Sequence, residues 1–251
     1  MTGTLLLVPN TLDLGAAEVD LQEVLPHAVI RRAAALQHWV AEDARSTRAF
    51  LKRVAAIEPL AAPLQALDIR ELPRARKGSR EAVPAQEWQQ LLQPALQGHD
   101  VGLISEAGLP AVADPGSLLV AAAHAAGVRV LPLAGASSLL LALAASGLNG
   151  QSFAFAGYLP QEPAARLARI KELELLSRRT SQTQLVIETP YRNAALLAAL
   201  TEGLTAGTSL SVSCGLTLPD GWTRSGPVST WRQKPAQMPD RLPAVFAFLA
   251  N

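Results

Sequence analysis

The sequence predicts an α/β fold with mainly parallel sheets covered by helices. Short apolar runs alternate along the chain with longer helical segments, which is the pattern of repeated strand–helix–strand units. Glycine and proline stand between these segments, where a chain changes direction. Hydrophobic residues make up 49% of the 251 residues, so the chain can bury a sizeable core.

The first half of the chain contains two strand-like runs, TLLLV at 4–8 and VGLIS at 101–105, each with the length of a buried strand. Residues 46–54, STRAFLKRV, predict a helix that begins at a capping Ser46 or Thr47. The segment 70–86 carries several arginines among proline and glycine, and it is predicted to be a loop. By propensity alone, RRAAALQHWVAEDA at 31–44 favours a helix.

The second half alternates more regularly. Glycine ends the helices SLLVAAAHAAG and SSLLLALAASG, and Ser137 or Ser138 caps the second one. Apolar residues recur on one face of the helix ARLARIKELELLSRR, and Asn193 is expected to cap the next helix. The predicted helices cover 117–127, 137–147, 165–179 and 193–203. The predicted strands cover 128–133, 153–159, 184–188, 209–217 and 244–250.

Composition excludes several classes of protein. The formal net charge of +1 gives no overall bias toward polyanions. Cys214 is the only cysteine, which excludes a disulfide framework and a cysteine-based zinc site and favours the cytoplasm. No apolar run has the length of a membrane span, and the first ten residues lack the basic region of a signal peptide.

Two strand-to-helix connections are candidate ligand loops, because ligands bind at the carboxyl ends of parallel strands. The first, SEAGLPAVADPGS at 105–117, has Glu106 as an acceptor and Gly108, which permits close backbone approach. The second runs through small residues around Gly135 into a helix start that attracts anions and hydroxyls. Ordinary loops with a helix cap, such as Asp114, explain the same residues equally well.

Five motifs give the chain a likeness to a known family. They are AEDARSTRAFL at 41–51, SEAGLPAVADPG at 105–116, PLAGASSLLLALAASGL at 132–148, FAGYLP at 155–160 and ETPYR at 188–192. In this order they resemble the tetrapyrrole methylase superfamily of S-adenosylmethionine-dependent methyltransferases. The likeness is closest to the branch that methylates a ribose 2′-hydroxyl of 16S ribosomal RNA.

The resemblance implies two α/β domains, residues 1–134 with a mainly parallel sheet and 135–251 with a mixed sheet. It places S-adenosyl-L-methionine in a cleft between them and implies a homodimer without a metal. It also implies a strand within residues 35–41. The family's cofactor contacts fall at Pro9, Glu106, Gly108, Leu109, Leu133, Gly135, Ser137 and Ser138.

Candidate substrate residues follow from the chemistry of methyl transfer. A ribose hydroxyl needs a proton acceptor, for which Glu42, Asp43 and Glu188 are candidates. The guanidinium groups of Arg45 and Arg192 suit phosphate or carboxylate. Tyr191 would stack on a base. A surface ion pair before a helix, with Asp43 as its cap, and a rim tyrosine are the structural alternatives.

Several departures keep a second hypothesis open. The first loop reads VPNTLDLGAAEVD where the family has TPIGNLxD, and the PGPS turn has lost its prolines to Ala134 and Ala136. On the five motifs, the chain is predicted to be a methyltransferase acting on ribosomal RNA. A tetrapyrrole or other small-molecule methyltransferase, or an inactive S-adenosylmethionine-binding protein, remains an alternative.

Overall fold

The structure is a computed structural model that describes residues 2–13, 19–73 and 83–250. The chain divides into two compact units, Met1–Ala136 and Ser137–Asn251, and each contains one five-stranded sheet. The functional domains 1–134 and 135–251 remain a prediction. In the part of the chain that is described, no helix has the length and apolar character needed to cross a lipid bilayer.

The first unit is built on a parallel sheet. Its strands are β1 (Thr4–Leu7), β2 (His38–Ala41), β3 (Asp68–Glu71), β4 (Val101–Ile104) and β5 (Arg129–Pro132). The spatial order is β3-β2-β4-β1-β5, and every pairing is parallel. β1 and β4 therefore end side by side in the middle of the sheet, which confirms the predicted parallel N-terminal sheet.

Helices cover both faces of this sheet. Successive side chains of each strand point to opposite faces, so alternate residues are buried against different helices. Leu6 and Trp39 pack on one face with Phe50, whereas Leu5 and Leu103 pack on the other. The helices of the first unit are α1 (Leu21–Val24), α2 (His27–Ala34), α3 (Ala44–Ala55), α4 (Ala85–Leu91), α5 (Gln93–Leu96) and α6 (Gly116–Ala125).

The second unit contains the predicted mixed sheet. Its strands are β6 (Phe153–Tyr158), β7 (Thr183–Glu188), β8 (Ser209–Cys214), β9 (Trp222–Pro227) and β10 (Ala244–Leu249). The order is β6-β7-β10-β8-β9, in which only the β6–β7 pairing is parallel among the described strands. The helices are α7 (Ser138–Ser146), α8 (Pro163–Thr180), α9 (Asn193–Gly203) and α10 (Val228–Gln233).

The two faces of the second sheet are also covered by different helices. Phe246 and Phe248 of β10 pack with Ile170 of α8 on one face. Val245 packs with Leu143 of α7 on the other face. The second unit therefore has three layers, with the sheet between helices. Each helix buries an apolar face against the sheet, which is why apolar patterns predicted the helices at 137–147, 165–179 and 193–203.

Several boundaries correct the sequence-based prediction. Residues 38–41 form β2, as the family likeness implied, because pairing with β3 and β4 overrides the local helical propensity. The segment 70–86 begins in β3 and ends in α4, while its residues 74–82 lie outside the described part.

Two predicted helix caps are wrong. The N-cap of α3 is Asp43, not Ser46 or Thr47, because the Asp43 carboxylate accepts a hydrogen bond from the Ser46 amide at 2.6 Å. Asn193 is the first residue of α9 and not its cap. Its side-chain amide donates to the Leu242 carbonyl at 3.0 Å, and a 3-10 turn, Pro190–Arg192, precedes it.

Candidate functional site

The candidate site begins at the carboxyl edge of the first sheet, where β1, β4 and β5 end together. The Val8 amide donates to the Leu103 carbonyl at 2.8 Å, and the Leu133 amide donates to the Leu7 carbonyl at 3.0 Å. These bonds extend the strand register past the assigned strand ends. The three connecting loops therefore start next to one another, as required for residues of different loops to share a ligand.

Asn10 fastens the loop after β1 to the loop after β4. Its side-chain Nδ2 donates to the Ser105 and Glu106 carbonyls, both at 3.1 Å, and its Oδ1 accepts from the Thr11 amide at 2.9 Å. The Asn10 amide also donates to the Gly108 carbonyl at 2.9 Å. Asn10 is buried, so these bonds are made away from water and fix the relative position of the two loops.

The loop SEAGLPAVADPGS has an unusual backbone. Gly108 has a positive φ of +69°, and φ is also positive at two residues that carry a side chain, Ala111 at +67° and Ala113 at +66°. The Asp114 carboxylate holds this conformation by accepting the amides of Ala111 at 3.0 Å and Gly116 at 2.6 Å. Residues in such conformations concentrate at ligand sites. They persist there because the surrounding structure holds a backbone that costs free energy.

Burial raises the pKa of Asp114 above its ordinary value. The nearby Glu42 carboxylate adds to this rise, and the hydrogen bonds from the amides of Gly116, Ala111 and Val112 only partly oppose it. Asp114 is therefore best explained as a residue that shapes the loop.

The loop after β5 packs directly on the loop after β1. A Cβ atom added to Gly135 would lie 2.3 Å from both Cβ and Cγ of Pro9. Gly135 is thus needed for backbone packing, whether or not a ligand is bound. A larger residue there would displace Pro9 itself, so it would disturb the site and the fold together.

A buried ion pair between Asp13 and Arg53 holds the loop after β1 against α3. The Asp13 side chain has no exposed surface, and its two oxygens accept from Arg53 Nη1 at 3.3 Å and Nη2 at 3.0 Å. Arg53 Nη2 also donates to the Val19 carbonyl at 2.6 Å, and Nη1 donates to Thr11 Oγ1 at 3.3 Å. One guanidinium on α3 therefore fixes residues 11, 13 and 19.

The AEDAR motif meets the same edge. Glu42 follows β2, and its Oε2 accepts a hydrogen bond from the Glu106 amide at 3.1 Å. Asp43 caps α3, whereas the Arg45 side chain is exposed on the first turn of that helix. Two motifs that are more than sixty residues apart in sequence are thus in direct contact.

A family model described as "Tetrapyrrole (Corrin/Porphyrin) Methylases" matches residues 27–230, which is most of the chain. The chain belongs to the tetrapyrrole methylase family. The likeness inferred from the five sequence motifs is therefore confirmed at the level of the family.

Curated relatives of this tetrapyrrole methylase carry the name "Ribosomal RNA small subunit methyltransferase I". The Xylella fastidiosa protein is 34% identical over 168 residues, which cover 66% of this chain and 55% of the relative. The Mesorhizobium japonicum protein is 45% identical over 111 residues, covering 44% and 36%. The chain thus matches about half the length, or less, of these relatives.

Solved structures of low identity share the fold. The uroporphyrin-III-C-methyltransferase of Thermus thermophilus aligns with 99% of this chain and 93% of its own, with a TM-score of 0.54 and 17% identity. The methyltransferase CobJ aligns over the whole of both chains, with a TM-score of 0.56 and 18% identity. These comparisons confirm the predicted tetrapyrrole methylase fold.

The structure brings the family-implied residues of the first unit together. Pro9, Glu106, Gly108, Leu109, Leu133 and Gly135 all belong to the three loops at this edge. Ser137 and Ser138 belong to the second unit, where Ser137 is the N-cap residue of α7 without a side-chain capping bond. The role of each residue toward a cofactor remains a prediction.

The candidates Glu188 and Arg192 form an ion pair within the second unit. Glu188 Oε1 accepts from Arg192 Nη2 at 2.8 Å and Nε at 3.1 Å, and from the Thr189 amide at 2.8 Å. The Glu188 side chain is only 2% exposed, whereas Tyr191 is 70% exposed beside Arg192. Glu188 is thus engaged by its neighbours, and Tyr191 presents its ring to the surface.

Sequence reasoning missed three residues that shape this edge, namely Asn10, Asp13 and Arg53. Asn10 carried a signal, since it stands where the family has a glycine-containing turn. Arg53 carried none, because its partners lie some forty residues earlier in the chain. Among the described residues, no group of three or more histidine, cysteine, aspartate or glutamate side chains is arranged to hold a metal ion.

Proposed function

We propose that this chain is an S-adenosylmethionine-dependent methyltransferase that acts on a ribose 2′-hydroxyl of ribosomal RNA. The observation that carries the proposal is the contact between Glu42 Oε2 and the Glu106 amide. It joins the motif that best suits a substrate to the loop that best suits the cofactor. The names of the curated relatives support RNA as the substrate class.

The residues of the edge fit S-adenosylmethionine. Glu106 is exposed and offers carboxylate oxygens to ribose hydroxyls, while Ala134 and Gly135 leave the backbone of the next loop approachable. In the second unit, Ser137 has a hydroxyl that its own helix does not use. When bound, the cofactor supplies an activated methyl group, so alignment of the two reactants is the main task of the protein.

Side chains of the protein would accept the proton of the ribose hydroxyl and hold the neighbouring phosphate. Glu42 contacts the cofactor loop and Asp43 follows it in the chain, and we assign proton acceptance to this pair. Arg45 is exposed one turn away and suits the neighbouring phosphate. Glu188 was a candidate proton acceptor, but we assign it the role of orienting Arg192, with which it forms an ion pair. Arg192 and the exposed Tyr191 beside it offer a second contact surface for the substrate.

Two measurements test the proposed function separately. Isothermal titration with S-adenosylmethionine and S-adenosylhomocysteine tests cofactor binding. A protein that binds neither compound would refute the whole proposal. Transfer of a labelled methyl group to ribosomal RNA tests the substrate. Binding without transfer to RNA would favour the inactive protein, and label recovered on a small molecule would favour a tetrapyrrole-like substrate.

A symmetric homodimer in the cytoplasm belongs to the same proposal. Apolar side chains remain exposed on helices of both units, including Leu118 at 53%, Leu140 at 53% and Leu141 at 39%. Exposed apolar neighbours such as Leu140 and Leu141 suit an interface between copies of a chain. Light scattering at micromolar concentration should give twice the mass of 26.5 kDa, and a monomer would contradict the dimer.

A further inference from the structure

Helix α3 has an exposed face made of cations. Arg45, Arg48 and Lys52 are spaced three and four residues apart, so they lie on one side of the helix, and all three are exposed. The opposite side buries Phe50 and Val54. We call the three exposed cations the α3 stripe.

The α3 stripe has no acidic partner among the described residues. α3 contains no acidic residue, and none of the ion pairs found in residues 2–13, 19–73 and 83–250 includes a member of the stripe. Arg48 makes only a 3.3 Å contact with the Ala44 carbonyl. The next residue, Arg53, turns inward to Asp13, which shows that this helix does pair a cation where the fold needs one.

Folding stability does not explain the position of the stripe. Arg45 stands in the first turn of α3, where the partial positive charge of the helix terminus disfavours a cation. Lys52 in the last turn is favoured there by the same effect. The helix dipole therefore does not account for a cation at Arg45.

We propose that the α3 stripe binds the phosphate backbone of a single-stranded RNA segment that leads into the candidate site. The inference rests on the proposed function, since it concerns the same substrate. From Arg45 to Lys52 the helix rises about 10 Å. Three cations along this length can contact successive phosphates of one strand, and such contacts between Lys or Arg and phosphate do not depend on the base sequence.

The direction of the stripe supports this partner. α3 begins at Ala44, two residues after Glu42, which contacts the loop after β4. A strand that lies along the stripe therefore arrives at the edge where Glu42 and Asp43 are found. Backbone contacts of this kind set affinity and register without reading the base sequence.

The test uses the full chain and a single-stranded 20-nucleotide oligouridylate, with binding measured by fluorescence anisotropy between 50 and 300 mM KCl. The variant Arg48→Gln with Lys52→Gln removes two contacts but leaves Arg45 in place. Because each contact contributes roughly 0.7 to the slope of log affinity against log salt, the slope should fall by about 1.4. Affinity near 0.1 M salt should fall about 25-fold by the same relation.

A matched variant removes the same charge elsewhere. Lys171→Gln with Arg179→Gln takes two exposed cations from α8 in the second unit. Its slope should stay close to that of the unaltered protein. Equal loss in both variants, or an unchanged slope in the α3 variant, would overturn the proposal, as would failure of the unaltered protein to bind the oligonucleotide.

Titration with S-adenosylhomocysteine separates this inference from the proposed function. The α3 variant should bind the cofactor product as the unaltered protein does, which shows that its fold and cofactor site are intact. If the unaltered protein does not bind S-adenosylhomocysteine, the proposed function fails whatever the RNA result. If it binds, and the α3 variant keeps its full affinity for RNA, only the stripe assignment fails.

Discussion

Replacing Arg53 by methionine should be among the most damaging single changes in the first unit. Methionine fills much of the same volume but cannot donate hydrogen bonds. The change removes four donated contacts, two to Asp13 and one each to Thr11 and Val19. It also leaves the fully buried Asp13 carboxylate without its cation.

The expected cost follows from that burial. Breaking a buried pair by removing one partner costs about 3–5 kcal/mol, because the remaining charge is desolvated and has lost its opposite charge. The Arg53 side chain is 17% exposed, which puts the pair near the lower end of that range. For a chain of this size, about 3 kcal/mol lowers the melting temperature by roughly 9 °C.

The assay is urea denaturation followed by circular dichroism, with S-adenosylhomocysteine titration on each folded variant. The double variant Asp13→Asn with Arg53→Met removes both charges and should recover most of the lost free energy of unfolding. Lys52→Met is the control at the neighbouring exposed position and should change it by less than about 0.5 kcal/mol.

The cycle also tests what the pair does for the site. If it positions the loop after β1, the double variant should fold yet bind S-adenosylhomocysteine several-fold more weakly. An Arg53→Met protein as stable as the unaltered one would refute the reasoning about the buried pair. Full cofactor affinity in the double variant would limit the pair to a structural role.

Three further predictions concern single residues of the same edge. Since the pKa of Asp114 is raised in the fold above its ordinary 3.8, its contribution to stability is present below that pH and is lost as pH rises through the folded value. The unfolding free energy of the unaltered protein should therefore decrease relative to that of Asp114→Asn as pH rises from about 4, and parallel curves in urea titrations would contradict this. Asn10→Ala should cost about 1–3 kcal/mol, because it leaves buried carbonyls unsatisfied, and should weaken S-adenosylhomocysteine binding. No change in either denaturation or calorimetry would exclude Asn10 as the fastener of the two loops. Asp43→Ala should lose about 1 kcal/mol as a helix cap, whereas Arg45→Ala should not lose stability. Both should keep S-adenosylmethionine affinity within a few-fold but reduce RNA methylation severely, and normal transfer by both would remove this motif from the active site.

Local patterns were sufficient for much of the architecture. Apolar runs such as 4–8 and 101–105 became central parallel strands, because a strand buried on both faces reads as a continuous hydrophobic segment. Glycine at 147 ends α7 with φ +69°, as a helix-terminating glycine should. The motif order was enough to identify the family.

Other elements depended on partners that no local pattern contains. β9 has few apolar residues, and it is a strand because β8 pairs with it along its whole length. β2 lies in a segment of helical propensity and is extended because it sits between β3 and β4. Strand pairing is a long-range interaction, so its free energy is invisible to any window of sequence.

The candidate site divides in the same way. The sequence by itself determined which loops follow the strands and which residues could bind or react, because turn residues and acidic motifs are local signals. Only the tertiary structure decided that Asn10 joins carbonyls 95 and 96 residues away, that Arg53 pairs with Asp13, and that Glu188 is engaged by Arg192. Such contacts form when distant segments are buried together, since burial makes each polar group require a partner that the sequence does not specify.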